Sequence, residues 1–458
     1  AMNQFMHKLK LALFVGAIGT MAGAPLPAAA DDLNIADSPL FVATNVEPNV
    51  MFTLDDSGSM QWEHIPDSDL FGPIFTVGFT SSFRLIQRAR PFMFPPPAGL
   101  YGGDNLREWV PIPWGSTNVS KNFYAFFGRS AHNNPIYYDP QTEYRPWVEA
   151  DGEEMDPAEP DEALYNPDDS DVGDIDLTEE QSDTAYWYAG TAPSAGSCVS
   201  TSFFGICRSE TLDYWPITFF EFKGSGPEEK PEQEADNYYR YQIRDGIAYK
   251  LDLATGDEIS ITEFGWDDTT RNIEEETKNF ANWFQYHRSR VLSSRAGIGR
   301  AFTRMPDQAR VGFAAINQGE REIDGVTSSQ AVIKGVRNFG SGTVADDGRS
   351  RFYDSLYSHV INGRTPLRTA ANAVGQYFER TDAKGPWSTT PGEDDGEDLA
   401  CRQSFHILMS DGFWNRGSPG VGNVDDTAGS EITGPDAGEG PQSFTYSPES
   451  PFRDSHSN

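Results

Sequence analysis

The feature that most constrains this chain is an apolar run that stops in acid: Asn49–Ser59 reads NVMFTLDDSGS. Val50, Met51, Phe52 and Leu54 predict a short buried β-strand flanked by polar residues. The residues that follow, Asp55-Asp56-Ser57-Gly58-Ser59, are too polar to extend a core strand. They offer hard oxygen ligands at alternate positions, which suits Mg²⁺ or a similar cation better than a soft metal.

Regular patterning returns near residue 275. From Glu276 to Met305, Phe280, Phe284, Val291, Ile298 and Phe302 recur at mostly helical spacing and predict a helix. ARVGFAAIN is a compact strand-length run, and AVIKGVRNF is a weaker one. SRFYDSLYSHVING predicts a short helix. TPLRTAANAVGQYFER predicts a better one, with Thr365 as cap and Pro366 at the first helical position. SFHILMSDGFWN then gives a buried strand ending in Asp411, and the tail from Arg416 onward reads as loop. Short apolar strands alternating with amphipathic helices predict an α/β, doubly wound, mostly parallel sheet. In such a sheet ligands bind outside the carboxyl ends of the strands, where neighbouring loops converge. Asp55, Ser57, Ser59, Thr365 and Asp411 are therefore expected to meet there.

Between these parts lies a long stretch without periodicity. Proline and aromatics crowd RPFMFPPPAGLYGG, which predicts an irregular loop. Residues 149–183 are strongly acidic, and no Lys or Arg occurs between Arg145 and Arg208. Such a run predicts a solvated, mobile segment, here one able to cover a nearby cation site. Within it, Asp168–Glu179 loosely resembles a calcium loop, but Val172 stands where an oxygen is needed, so a plain acidic loop is preferred. Tyr137, Tyr138, Tyr144 and Trp147 read as packing of this insertion onto the sheet rather than as binding residues.

The chain of 458 residues holds two or three average domains, or one domain with large insertions. Its formal charge of −34 opposes any direct grip on nucleic acid phosphates or anionic lipid heads and favours cation binding. MHKLK, LALFVGAIGTMAG and PLPAAADD have the order of a signal peptide cleaved near Ala30, and no other stretch is apolar enough to span a membrane. Export makes a Cys198–Cys207 disulfide, closing a hairpin, the expected pairing. Cys401 is left over, inert or paired outside this chain.

DDSGSM resembles the D-x-S-x-S metal-ion-dependent adhesion motif of von Willebrand factor A domains. GRTPL resembles the loop carrying that motif's threonine, and ILMSDG the strand carrying its second aspartate, in the family's order. The resemblance implies that Ser57, Ser59 and Thr365 contact the metal directly, while Asp55 and Asp411 act directly or through water. The implied ion is Mg²⁺, with Mn²⁺ or Ca²⁺ as alternatives, and a position stays open for a partner's carboxylate. Asp56 is then expected to point away and to matter less.

NNPIYYDPQTEYRPW, NFANWFQYHRSRVLSSRAGIGRAF and CRQSFHILMSDGFWN resemble the PilC/PilY family of type IV pilus biogenesis and tip-adhesin proteins. That resemblance implies an exported protein of the periplasm, outer membrane, cell surface and pilus tip. Its implied partners are minor pilins and host or abiotic surfaces, and its role extends to promoting assembly and countering retraction. Residues 1–30 would be the signal peptide, 31–60 the first part of the A-like domain, 61–275 an irregular inserted subdomain, and 276–458 the truncated remainder. Family members continue into a C-terminal β-propeller, so the chain reads as part of a longer protein. A structural tip module without an outside metal ligand is the alternative. A metal-dependent hydrolase using Asp55 or Asp56 lacks a phosphate-cradling loop and a His beside a nucleophile, so no enzyme is expected.

Overall fold

Alternating strands and helices build the region around the acid-terminated strand. The computed structural model describes residues 47–65, 92–102, 109 and, with short breaks, 123–447. Contacts divide the chain into residues 1–46 and 47–458, and every described residue lies in the second unit. The signal segment and Cys401 lie outside the described residues. Cys198 and Cys207 fall in short strands paired with Trp187–Ala189 and Ser200–Thr201, and their side chains are likewise outside the description.

In chain order the main elements begin with β1 (Asn49–Leu54), β2 (Thr218–Phe222), β3 (Tyr238–Arg244), β4 (Ile247–Asp252) and β5 (Glu258–Ile261). They continue with α1 (Ile273–Tyr286), α2 (Arg290–Phe302), β6 (Arg310–Ala315) and β7 (Val332–Asn338). The last are α3 (Gly348–Tyr357), α4 (Leu367–Phe378) and β8 (Ser404–Met409). One four-stranded sheet has the order β7-β6-β1-β8. Here β1 runs parallel to β6 and to β8, and β7 is antiparallel to β6.

Both faces of this sheet are covered over β1 and β6, whereas Ile407 and Leu408 of the edge strand β8, expected to be buried, are exposed. On one face Phe52 meets Phe302, Phe313 and Phe352 at centroid distances of 5.5, 6.2 and 5.9 Å, so α2 and α3 pack there. On the other, Met51, Ala314, Val332 and Val336 pack with Ala370, Ala373, Val374 and Tyr377 of α4. Each large side chain buried this way contributes about 1.5–3 kcal/mol.

The protein is a mixed α/β structure with several sheets, and the expected mostly parallel character needs correction. Parallel ladders are confined to β1 with its two neighbours, and every other described strand ladder is antiparallel. The reason lies in the region between β1 and α1, where strands follow one another through short turns that allow only antiparallel pairing. Its four-stranded sheet, β2-β3-β4-β5, is regular where irregular structure was expected. Asp245-Gly246 makes its sharpest turn with φ of 48° and 73°, the left-handed pair that a two-residue hairpin needs.

Three other expectations change, the first in the tail, where Glu431–Asp436 and Pro441–Thr445 pair as antiparallel strands instead of loop. The helix expected over 276–305 is two helices, because Ser289 accepts a hydrogen bond from the Leu292 N–H and starts a new one. The acidic run folds against α1 rather than staying mobile. Ala163 and Leu177 are fully buried, while Asn282 and Gln285 of α1 accept the backbone N–H groups of Ala158 and Leu164. Its carboxylates turn outward or onto their own turns, as Asp169 does to Asp171 N–H and Asp176 to Thr178 N–H, so they do not converge as a calcium loop would.

The aromatics of the insertion pack onto helices. Tyr138 donates to Glu276 of α1, and Trp147 is fully buried and stacked on Tyr357 of α3 at 4.6 Å. Beneath them Glu63 pairs with Arg288 at 3.0 Å, and Arg288 also donates to the carbonyls of Phe284 and Tyr165. Both partners are almost wholly buried. Arg288→Met strands the Glu63 charge, so urea unfolding should show a loss of about 3–5 kcal/mol. A loss below about 1 kcal/mol, the ordinary value of an exposed pair, would contradict this account of the insertion's attachment.

Candidate metal centre

The carboxyl end of β1 delivers Asp55 and Asp56 to the point where three loops meet. Asp55 is fully buried. One of its carboxylate oxygens accepts the Ser57 N–H at 2.9 Å, and the other accepts the Ser410 hydroxyl at 2.6 Å. Ser410 stands between the end of β8 and Asp411. The hydroxyls of Ser57 and Ser59 lie 3.0 Å apart.

The Gly58 N–H donates to the Gly363 carbonyl at 3.1 Å, which brings the loop 363–365 alongside. Gly363 must be glycine: its φ is 157°, and a Cβ there would meet Asn317 at 2.4 Å. Thr365 is buried, and Asn415 accepts its N–H at 3.0 Å and faces its hydroxyl at 3.4 Å. Asp411 is turned to Arg290, whose Nη1 donates to its carboxylate at 2.6 Å.

Burial pushes the Asp55 carboxyl above its ordinary range, against the bonds from Ser410 and Ser57, and the Asp411 charge adds to the rise. No ion pair forms to Asp55 among the described residues, and none of them gathers three His, Cys, Asp or Glu side chains into one cluster. The donor set is thus hydroxyls with two carboxylates, all oxygen. The Ser57–Ser59 separation of 3.0 Å also suits neighbouring ligands of an octahedral Mg²⁺ shell, about 3 Å apart for bonds near 2.1 Å. These residues fit a small hard cation and do not fit zinc or copper. Ser57, Ser59 and Asp55 would hold it, with Thr365 and Asp411 supplied by the adjoining loops.

Several expected roles differ. Asp56 is no neutral neighbour. Its carboxylate accepts from Asn317 N–H and Asn317 Nδ2 at 2.9 Å each, from Gln318 Nε2 at 3.2 Å, and bonds His359 Nε2 at 3.0 Å. Asp55 lies in the interior, and Thr365 does not cap α4, whose N-cap is Pro366 without a side-chain bond. Asn317, Gln318, His359, Ser410, Asn415 and Arg290 were not foreseen. Asn317 had a signal, since it ends the run ARVGFAAIN as Asp55 ends its own, and the strand-end rule applies to both.

The two aspartates should therefore behave oppositely. Asp56→Ala leaves the amides of Asn317 and Gln318 without their acceptor and should cost on the order of 3 kcal/mol in urea unfolding. For Asp55 the folded pKa exceeds the unfolded one, so the folded state holds the extra proton. Its contribution to stability is then greatest at low pH and falls as pH rises from the ordinary Asp range through the raised value. Asp55→Asn removes that decline, so in chelator at neutral pH its melting temperature should equal or exceed the parent's. A lower value would contradict the burial cost assigned to Asp55.

No family model and no solved structure matches the chain. It is 25% identical over 458 residues to the type IV pilus biogenesis factor PilY1 of Pseudomonas aeruginosa strain PAO1, covering 99% of this chain and 30% of that protein. Identity to the same factor of strain PAK is 26% over 432 residues, covering 93% of this chain and 28% of the relative. For strain UCBPP-PA14 it is 24% over 436 residues, with the same coverage of each. The chain thus spans less than a third of the length of these relatives. Sustained over nearly the whole chain in three relatives, this likeness supports a type IV pilus protein of the PilY1 kind.

Proposed function

We propose that this chain is the A-like, cation-dependent binding module of an exported type IV pilus biogenesis factor and tip adhesin. The observation that carries the reading is the convergence behind β1: Asp55, Ser57 and Ser59 on one loop, the Thr365 loop beside it, and Ser410-Asp411 on the next strand. The order β7-β6-β1-β8, with an antiparallel edge and helices on both faces, supports an A-like domain. A Mg²⁺ ion held mostly by hydroxyls keeps much of its positive charge and open positions, so it recruits a carboxylate from outside.

The names of the relatives support a place in pilus assembly. A net charge of −34 supports a role for the cation, because an acidic surface needs one to hold an acidic partner group. Against the hydrolase reading, the Asp56 carboxylate is already engaged by four hydrogen bonds, although one of them is to His359, a histidine neighbour that the sequence did not reveal. Among the described residues no helix is long and apolar enough to cross a membrane.

Sheared type IV pili from a strain lacking its own copy of this protein provide the test. The purified chain should bind them in Mg²⁺ and lose at least about tenfold in affinity, ~1.4 kcal/mol, in chelator or as Ser59→Ala. Equal binding under all three conditions would leave the cation without a role in pilus attachment.

A further inference from the structure

Arg290 opens α2, is 5% exposed, and spreads its guanidinium over three partners. Its Nη1 donates to Asp411 at 2.6 Å, its Nε to the His64 carbonyl at 2.7 Å, and its Nη2 to the Ile65 carbonyl at 3.0 Å. The Trp62 ring lies 4.9 Å from the same group. Residues 62–65 are where the chain leaves the sheet to begin the insertion. A cavity of about 300 Å³, lined by Met60, Ile65, Ile136, Met409, Arg290 and Asp411, opens against this pair.

We propose that Arg290 is a built-in competitor for Asp411, so that cation uptake at the metal centre must displace the Arg290–Asp411 ion pair. The inference rests on the cation site proposed above. Arg290 holds Asp411 through Oδ2, so a cation or its water that takes up this carboxylate competes with that bond, and a guanidinium beside the site repels the cation directly. Asp411 is the exchangeable partner. If it turns toward a metal, Arg290 still keeps two carbonyl bonds and its aromatic neighbour, so the change strands neither charge. The chain thereby carries its own counter-charge for Asp411 when no metal is present. By linkage, whatever strengthens the Arg290–Asp411 pair must weaken the cation, and the cation must weaken that pair.

Calorimetry with Mn²⁺ on the full chain tests this, with Ser59→Ala as the control for the site itself. Arg290→Met should bind Mn²⁺ about tenfold more tightly than the parent, and Arg290→Lys, which keeps the charge but not the fork, should gain less. Thermal unfolding in chelator establishes that each variant is folded, and Arg290→Lys carries the comparison if the Met variant is not. Unchanged or weaker binding by the Arg290 variants overturns the proposal. Parent binding that Ser59→Ala leaves intact, or no parent binding at all, instead overturns the metal site beneath it.

Discussion

The carboxylate of Asp56 ties the loop after β1 to the loop after β6 through Asn317 and Gln318, and to the segment after α3 through His359. Asn317 in turn donates to the Arg364 carbonyl and accepts the Arg364 N–H, so the same clamp reaches the Thr365 loop. Each bond comes from residues distant in sequence, and the group is almost fully buried. Buried charge persists only where donors surround it. Without that clamp the hydroxyls of Ser57, Ser59 and Thr365 would lack a fixed frame, and a cation site needs its ligands placed within a fraction of an ångström.

A second charged knot works in the same way at the other side of the motif. Glu63 and Arg288 pin the start of the insertion to the break between α1 and α2, two residues before Arg290. The insertion is therefore integrated with the helices that cover the sheet, through Tyr138, Trp147 and the apolar positions of the acidic run. An acidic sequence can fold when its few apolar residues fall on one side. Ala163, Ile175 and Leu177 do so here, leaving the carboxylates to water.

Strands β1 and β6 were legible because both their faces are buried, and a doubly buried strand writes itself as an unbroken apolar run, as in VMFTL and RVGFAA. The choice between Asp55 and Asp56 was only half legible. The spacing D-x-S-x-S singles out Asp55, but adjacent residues of one type look alike in sequence, and only the fold shows that Asp56 is bonded inward. Thr365 looked like a helix cap because Pro follows it, whereas its true neighbour, Asn415, is 50 residues away. The insertion's sheet carried a local signal in Asp245-Gly246 between alternating strands, which its surrounding prolines and acids obscured.

The account turns on whether a hard cation sits among these particular oxygens. Crystals of the chain grown with Mn²⁺, measured for anomalous scattering, decide it most directly. The account predicts one strong peak about 2.1–2.3 Å from the hydroxyls of Ser57 and Ser59, with Thr365 and a carboxylate of Asp55 or Asp411 completing the shell directly or through water. Well-diffracting crystals with no peak there, or with Mn²⁺ only among the acids of residues 149–183, would contradict it.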